Sequence, residues 1–334
     1  MKLSVPGNLL LAGEYLVLDE GGQGLAVAVE PRLSASASPS PARTWSVRAI
    51  MGKTSILWQP EAGSGVGSDD GSGSGEALPL AKAMLKACAD SLEARGRPMP
   101  GPLAIEVDSS AFFSPDGRKT GFGSSAAAAV ALAMLIGRAT GFTEAELVDF
   151  SAEAALAGHR TAQGGRGSGY DVFASLHGGC GIFTGGIKPG WKALGRLPAL
   201  QAVLVPGPAA VRSSEAVNAF RLCLASQGMK TRAILDALRS GVDAIIDATV
   251  SGNADAFRAA LAQAGAAGRL LGETIGFSAF IAPPAGFESL RVKALGAGNE
   301  LGLMVLEENT PGFPDSLPPG CLPFRPAGGP QWLS

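Results

Sequence analysis

Residues 117–130 read GRKTGFGSSAAAAV. Gly121 and Gly123 let the main chain bend tightly and approach a ligand without a Cβ in the way. The run SSAAAAVALAMLIGRAT, residues 124–140, is a strong helix former opened by two serines. A helix N-terminus adds positive partial charge and unpaired N–H donors. Gly121, Phe122, Gly123, Ser124, Ser125 and Ala126 are therefore a candidate phosphate cradle, beside which Lys119 adds a point charge. A hydroxyl of Ser124 or Ser125 is a possible oxygen ligand for magnesium. Taken alone, the stretch reads first as an ordinary glycine turn with a serine N-cap. It lacks the Gly-Lys-Ser/Thr ending of a Walker A loop and the spacing of a dinucleotide fingerprint.

Downstream, Thr143 with Glu146 three residues on is a capping-box signature for a helix over roughly 144–157. The segment GHRTAQGGRGSGYDVFASLHGG, residues 158–179, then reads as two polar glycine-rich turns leading to Asp171. Asp171 is either a helix N-cap or, beside a phosphate cradle, a group that orients an acceptor or takes its proton. His159 and His177 are the only histidines and make no metal site by themselves. Further helices are expected over 214–225, 231–248 and 254–270, and late strands near 201–205, 289–295 and 301–306.

Upstream, LAIEVDSSAFF (103–113) reads as a strand running into a loop, residues 78–92 as a helix and 25–38 as a strand. GSGVGSDDGSGSG, residues 63–75, has nothing to bury and reads as a mobile loop. At the start, VPGNLLLAGEYLVLDEGG (5–22) is expected to form two short strands, 2–6 and 9–18, turning at Pro6-Gly7. That hairpin gathers Asn8, Glu14 and Tyr15, or simply buries a tyrosine. Early strands and later helices indicate an α+β fold.

The composition is that of a globular chain facing small molecules. Of 334 residues, 46% are apolar and 17% charged, with a net charge of -2, and the basic residues are scattered. No footprint for nucleic acid or an anionic membrane is visible. The four cysteines, Cys88, Cys180, Cys223 and Cys321, lack metal or disulfide spacing and read as reduced thiols. With no signal-peptide pattern and no apolar run of membrane-spanning length, the expected location is cytoplasmic.

Taken together and in order, PGNLLLAGEY (6–15), TGFGSSAAAAVAL (120–132) and AQGGRGSGYDV (162–172) resemble the GHMP kinases. HRTAQGGRGSGYDV (159–172) looks most like the phosphomevalonate kinase branch. The resemblance implies a two-lobed GHMP kinase fold with an active-site cleft between an N-terminal lobe, residues 1–190, and a ferredoxin-like C-terminal lobe, residues 191–334. It implies ATP and Mg²⁺ as cofactors, phosphates held by Gly121 to Ser125, Ser125 as a magnesium ligand and Asp171 near the acceptor. Glu14, Tyr15, Ser168 and Gly169 would line the acceptor pocket. A third glycine motif matches KALGAGNELGL (293–303) through Lys293, Gly296, Ala297 and Gly298.

An acceptor carrying phosphate and carboxylate needs cations, and Lys119, Arg160, Arg166 and His159 are the candidates. The implied partner is thus a small acidic metabolite, phosphomevalonate first, then mevalonate or a sugar; a non-catalytic binding or regulatory protein is the reading from another class. The chain departs from the family pattern at Asn8, where a lysine or arginine is usual. It departs also at Asn299-Glu300-Leu301, and at Gly165-Arg166, where the branch tends to place lysine first.

Overall fold

The computed structural model describes residues 1–59, 77–165, 167–208, 213–225, 228–296, 298, 300–306 and 317–334. The expected 63–75 loop, Arg166 and Ala297 lie outside them. Two compact units result, neither a single stretch of sequence. The first comprises Met1–Asn8, Ala28–Gly178 and Ala327–Ser334, and the second Leu9–Val27 and Gly179–Pro326.

Strands β1 (Lys2–Ala12) and β2 (Gln23–Pro39) contribute to both units. In the first, β3 (Ser46–Met51) and β4 (Thr54–Trp58) form an antiparallel pair. Beyond helix α1 (Ala77–Ala94), β5 (Leu103–Asp108) lies parallel to β3 and antiparallel to the later half of β2, from Ser34↔Asp108 to Pro39↔Leu103. Three further helices follow: α2 (Ser124–Thr140), α3 (Glu144–Ala162) and α4 (Tyr170–His177). Helix α3 packs on α1 and α2, and α2 on α4.

In the second unit, β6 (Cys180–Thr184) pairs antiparallel with Gln23–Val27 of β2 and with β7 (Gly190–Gly195). Next come β8 (Ala202–Pro206) and the helices α5 (Ser213–Ala225), α6 (Met229–Ser251) and α7 (Ala254–Ile275). The strands β9 (Val292–Ala294), β10 (Leu301–Val305) and β11 (Leu322–Pro323) join β8 in an antiparallel sheet ordered β11-β8-β10-β9. Val203, Val205, Ile281, Met304 and Leu306 form its core. The last strand, β12 (Gln331–Leu333), returns to the first unit and pairs with Lys2–Ser4.

Three local outcomes trace to specific residues. Helix α2 takes the expected bounds because its alanines suit a helix buried on most sides: Ala126, Ala127, Ala129, Ala131 and Ala133 are all essentially inaccessible. The expected turn at Pro6-Gly7 does not form, and β1 runs straight through it. Gly7 serves close approach instead, since a Cβ there would lie 2.7 Å from the Phe122 carbonyl oxygen and 2.9 Å from the Phe112 ring. The expected second strand stops at Ala12, and Leu16–Leu18 form one turn of 3-10 helix.

Likewise α3 does not stop before the glycines but continues to Ala162, so His159 and Arg160 lie in its last turn rather than in a loop. Gly158 is a packing residue: a Cβ there would meet Met84 Sδ at 2.5 Å, where α3 crosses α1. The Thr143–Glu146 capping box is present, with each partner bonded to the other's backbone N–H. Among the described residues no helix is long and apolar enough to cross a membrane, and all four cysteines are free thiols.

Candidate active site

The first unit gathers most of the residues singled out by sequence. Gly123, left-handed at φ 72° and ψ 38°, caps α2 without any side-chain hydrogen bond. The first helical bond runs from Ala127 N–H to the Gly123 carbonyl, 3.2 Å. The N–H groups of Ser124, Ser125 and Ala126 therefore precede the helical ladder and are the donors a helix N-terminus offers to an anion. Gly121 is also left-handed, at φ 79°, while Phe122 is buried and pins the loop. Ser125 is exposed and Ser124 half-exposed. Lys119 is exposed on the preceding loop, where its backbone bridges to Phe113.

Asn8 lies beneath this loop and is only 2% accessible. Its backbone N–H donates to the Phe122 carbonyl (3.0 Å), and its side-chain Nδ2 donates to Ser175 Oγ (3.0 Å) and the Gly123 carbonyl (3.3 Å). Both donors of the amide are thus used in fastening the start of α2 to α4. A cation expected to face a moving phosphoryl group is not what this position holds; it holds a buttress. Gly123 has the matching constraint, because a Cβ there would fall 2.2 Å from Asn8 Nδ2.

Helix α4 opens at Gly169, left-handed at φ 98°, and carries Asp171 in its first turn. Asp171 Oδ1 accepts from Val172 N–H at 3.0 Å, while Oδ2 lies 3.6 Å from His159 Nδ1. His159, 1% accessible, has its other nitrogen, Nε2, 3.2 Å from both Ser125 Oγ and Gln163 Nε2. Arg160 donates from Nε to the Gly167 carbonyl (3.0 Å) and from Nη2 to the Ser168 carbonyl (2.7 Å), shaping the turn into α4 from within. Burial draws the Arg160 pKa down, and the nearby Asp171 charge raises it again. Ser168 is half-buried and Gly169 buried.

The other predicted residues belong to the second unit. Glu14 and Tyr15, with Lys293, Gly296 and small residues of α7, line a small pocket of about 20 Å³. The Glu14 carboxylate accepts a hydrogen bond from Lys293 Nζ, which also donates to the Ala294 carbonyl at 3.1 Å. Burial raises the Glu14 pKa, against the pull of the Lys293 charge. Tyr15 sits at φ 65°, a conformation that costs energy for a residue with a side chain. Its ring packs 4.8 Å from that of Phe220, and burial followed by the Glu14 charge pushes its hydroxyl pKa up to about 12. Gly298 is buried in the third motif.

Sequence reasoning passed over Ser175 and Gln163. Both signals were available, since Ser175 is four residues from Asp171 and Gln163 four from His159, the spacing that shares a helix face. The pairing of Glu14 with Lys293 spans 279 positions and had no local signal. Among the described residues no group of three or more His, Cys, Asp or Glu side chains could hold a metal.

Residues 76–179 match the GHMP kinases N terminal domain. A phosphomevalonate kinase of Streptomyces sp. (strain CL190) is 32% identical over 181 residues, covering 52% of this chain and 46% of that protein. One from Saccharolobus solfataricus is 28% identical over 178 residues, covering 53% and 47%. The chain spans about half the length of the curated relatives it matches. Among solved structures, a Lin0012 protein from Listeria innocua matches with a TM-score of 0.77 at 17% identity over 99% of each chain. Streptococcus pneumoniae phosphomevalonate kinase, in complex with phosphomevalonate and AMPPNP, matches with a TM-score of 0.63 at 14% identity over 91% of this chain and 92% of that one.

Proposed function

From a chain that carries a GHMP kinase N-terminal domain and has the GHMP kinase fold, we propose an ATP-dependent small-molecule kinase whose acceptor is phosphomevalonate. The observation that carries the reading is the start of α2. A left-handed glycine, no side-chain cap and three N–H groups ahead of the helical ladder stand within the same unit as an aspartate opening α4.

In this reading the backbone of residues 121–126 binds the nucleotide phosphates, and Ser125 offers its hydroxyl oxygen to magnesium. Bound magnesium neutralises phosphate charge; the chain itself supplies position and further charge. Lys119 is an exposed cation beside the loop. A phosphomonoester with a second pKa of about 6 is largely dianionic at neutral pH and needs no base, so Asp171 orients groups rather than abstracting a proton. The choice of phosphomevalonate leans on the curated relatives and on the 159–172 segment.

ATP consumption measured with magnesium and, in turn, phosphomevalonate, mevalonate, diphosphomevalonate, galactose and homoserine tests the proposal. Acceptor-dependent ADP release with phosphomevalonate is expected. Turnover with mevalonate or galactose alone would keep the kinase and replace the acceptor; no turnover with any of them would favour a binding role.

A further inference from the structure

The buried histidine at the end of α3 touches a residue from each of the two helix starts. We propose that His159 is a positioning residue that sets the hydroxyl of Ser125 and the carboxylate of Asp171 together. The proposal deepens, and rests on, the kinase reading of this site.

The ring's proton is assigned by its neighbours. An amide nitrogen can only donate, so Gln163 Nε2, 3.2 Å away, makes His159 Nε2 an acceptor. A neutral imidazole accepting at Nε2 carries its hydrogen on Nδ1. Ser125 Oγ, also 3.2 Å from Nε2, can then bond to the ring only as a donor, sharing the single Nε2 lone pair with Gln163. Its lone pairs are left facing away from the histidine, on an exposed residue, which is the orientation a magnesium ligand needs. On the ring's other side, Nδ1–H faces Asp171 Oδ2 at 3.6 Å, too long for a hydrogen bond but close enough for electrostatic attraction.

Two features make this device rigid. His159 is 1% accessible in the last turn of α3, so the ring has little freedom. Asp171 is held independently through its own Oδ1 by Val172 N–H, and the last turn of α4 is tied through Ser175 to the start of α2 by Asn8. Partners of this kind, which touch no ligand themselves but orient those that do, typically change affinity or activity by 10–100-fold when removed. In this proposal His159 acts through Ser125 and Asp171, a different role from the substrate cation that the sequence suggested.

The two nitrogens can be tested separately. Asparagine places a donor near the Nδ1 position but cannot reach Ser125, whereas glutamine places a polar atom near the Nε2 position and leaves Asp171 alone. His159→Asn should chiefly weaken Mg-ATP, raising its KM and calorimetric Kd about tenfold. His159→Gln should keep Mg-ATP affinity close to that of the native chain and chiefly lower kcat, by about tenfold. Combining His159→Asn with Ser125→Ala should weaken Mg-ATP no further than Ser125→Ala alone, since both act through one oxygen.

Circular dichroism and urea midpoints identify any variant that fails to fold, and the comparison is then made with His159→Phe and whichever substitution remains folded. Equal losses of affinity and turnover in the asparagine and glutamine variants, or none in either, would overturn the proposal. Failure of the native chain to bind Mg-ATP at all would overturn the kinase reading beneath it. Native binding with unchanged variants would remove only the role of His159.

Discussion

Replacing Gly123 by alanine should damage the loop from beneath rather than block the ligand from above. The added Cβ points at Asn8, 2.2 Å from Nδ2 and 2.6 Å from Cγ, and the backbone at this position is left-handed. An L-residue there costs about 1–2 kcal/mol. Evicting the Asn8 side chain breaks its bonds to Ser175 and Gly123, about 1 kcal/mol each. The single substitution should therefore cost about 3–4 kcal/mol and weaken Mg-ATP binding. Asn8→Ala alone loses the same bonds, about 2 kcal/mol. Because those bonds can be lost only once, the double variant should cost about 3–4 kcal/mol rather than the sum, a coupling of about 2 kcal/mol. Urea unfolding of the native chain and the three variants measures this coupling, and titration with Mg-ATP should find affinity partly regained in the double variant relative to Gly123→Ala. Additive effects within about 0.5 kcal/mol would refute the reasoning, because the clash with Asn8 would then not be the cause.

Lys293→Met strands a buried carboxylate and should destabilise the protein by about 3–5 kcal/mol, with much of the loss recovered by adding Glu14→Leu; urea midpoints decide. Because burial raises the Glu14 pKa above its ordinary carboxylate value, its contribution to stability is greatest at acid pH and is lost as pH rises through the folded-state pKa. Glu14→Gln should flatten the pH dependence of stability over that window. Thr143→Ala removes the capping box of α3 and should cost about 1 kcal/mol, seen as a lower Tm. Asp171→Asn should lower kcat about 10²-fold or more if the acceptor is an alcohol that must lose a proton, and much less for a phosphate acceptor; full turnover with every accepted substrate would remove Asp171 from the site.

Local chemistry was legible in the sequence wherever a short stretch determined its own outcome. The alanine run from Ser124 to Thr140 could form little but a buried helix, and Thr143 with Glu146 fixed the start of the next one. Glycines were harder, because the same residue serves turns and close contacts. Gly7 and Gly158 both looked like interruptions, yet each sits inside a regular element where a neighbour from distant sequence leaves no room for a Cβ. The hidden part of the site has the same origin. Asn8 is separated from Ser175 by 167 positions, and Glu14 from Lys293 by 279, so their partners were set by topology rather than by spacing. Read without that topology, Asn8 looked like a missing cation; within it, a neutral amide with two donors is what the underside of the glycine loop uses.

In the proposed reaction the chain moves a phosphoryl group from ATP to a phosphate acceptor at the start of α2. Phosphorus NMR of native protein incubated with ATP, magnesium and phosphomevalonate observes that transfer directly. The monophosphate resonance of the acceptor should be replaced by the paired resonances of a diphosphate as ADP appears in equal amount, and Ser125→Ala should slow the exchange. An unchanged monophosphate resonance alongside tight Mg-ATP binding would contradict the proposed reaction, leaving a nucleotide-binding protein whose acceptor, if any, is another molecule.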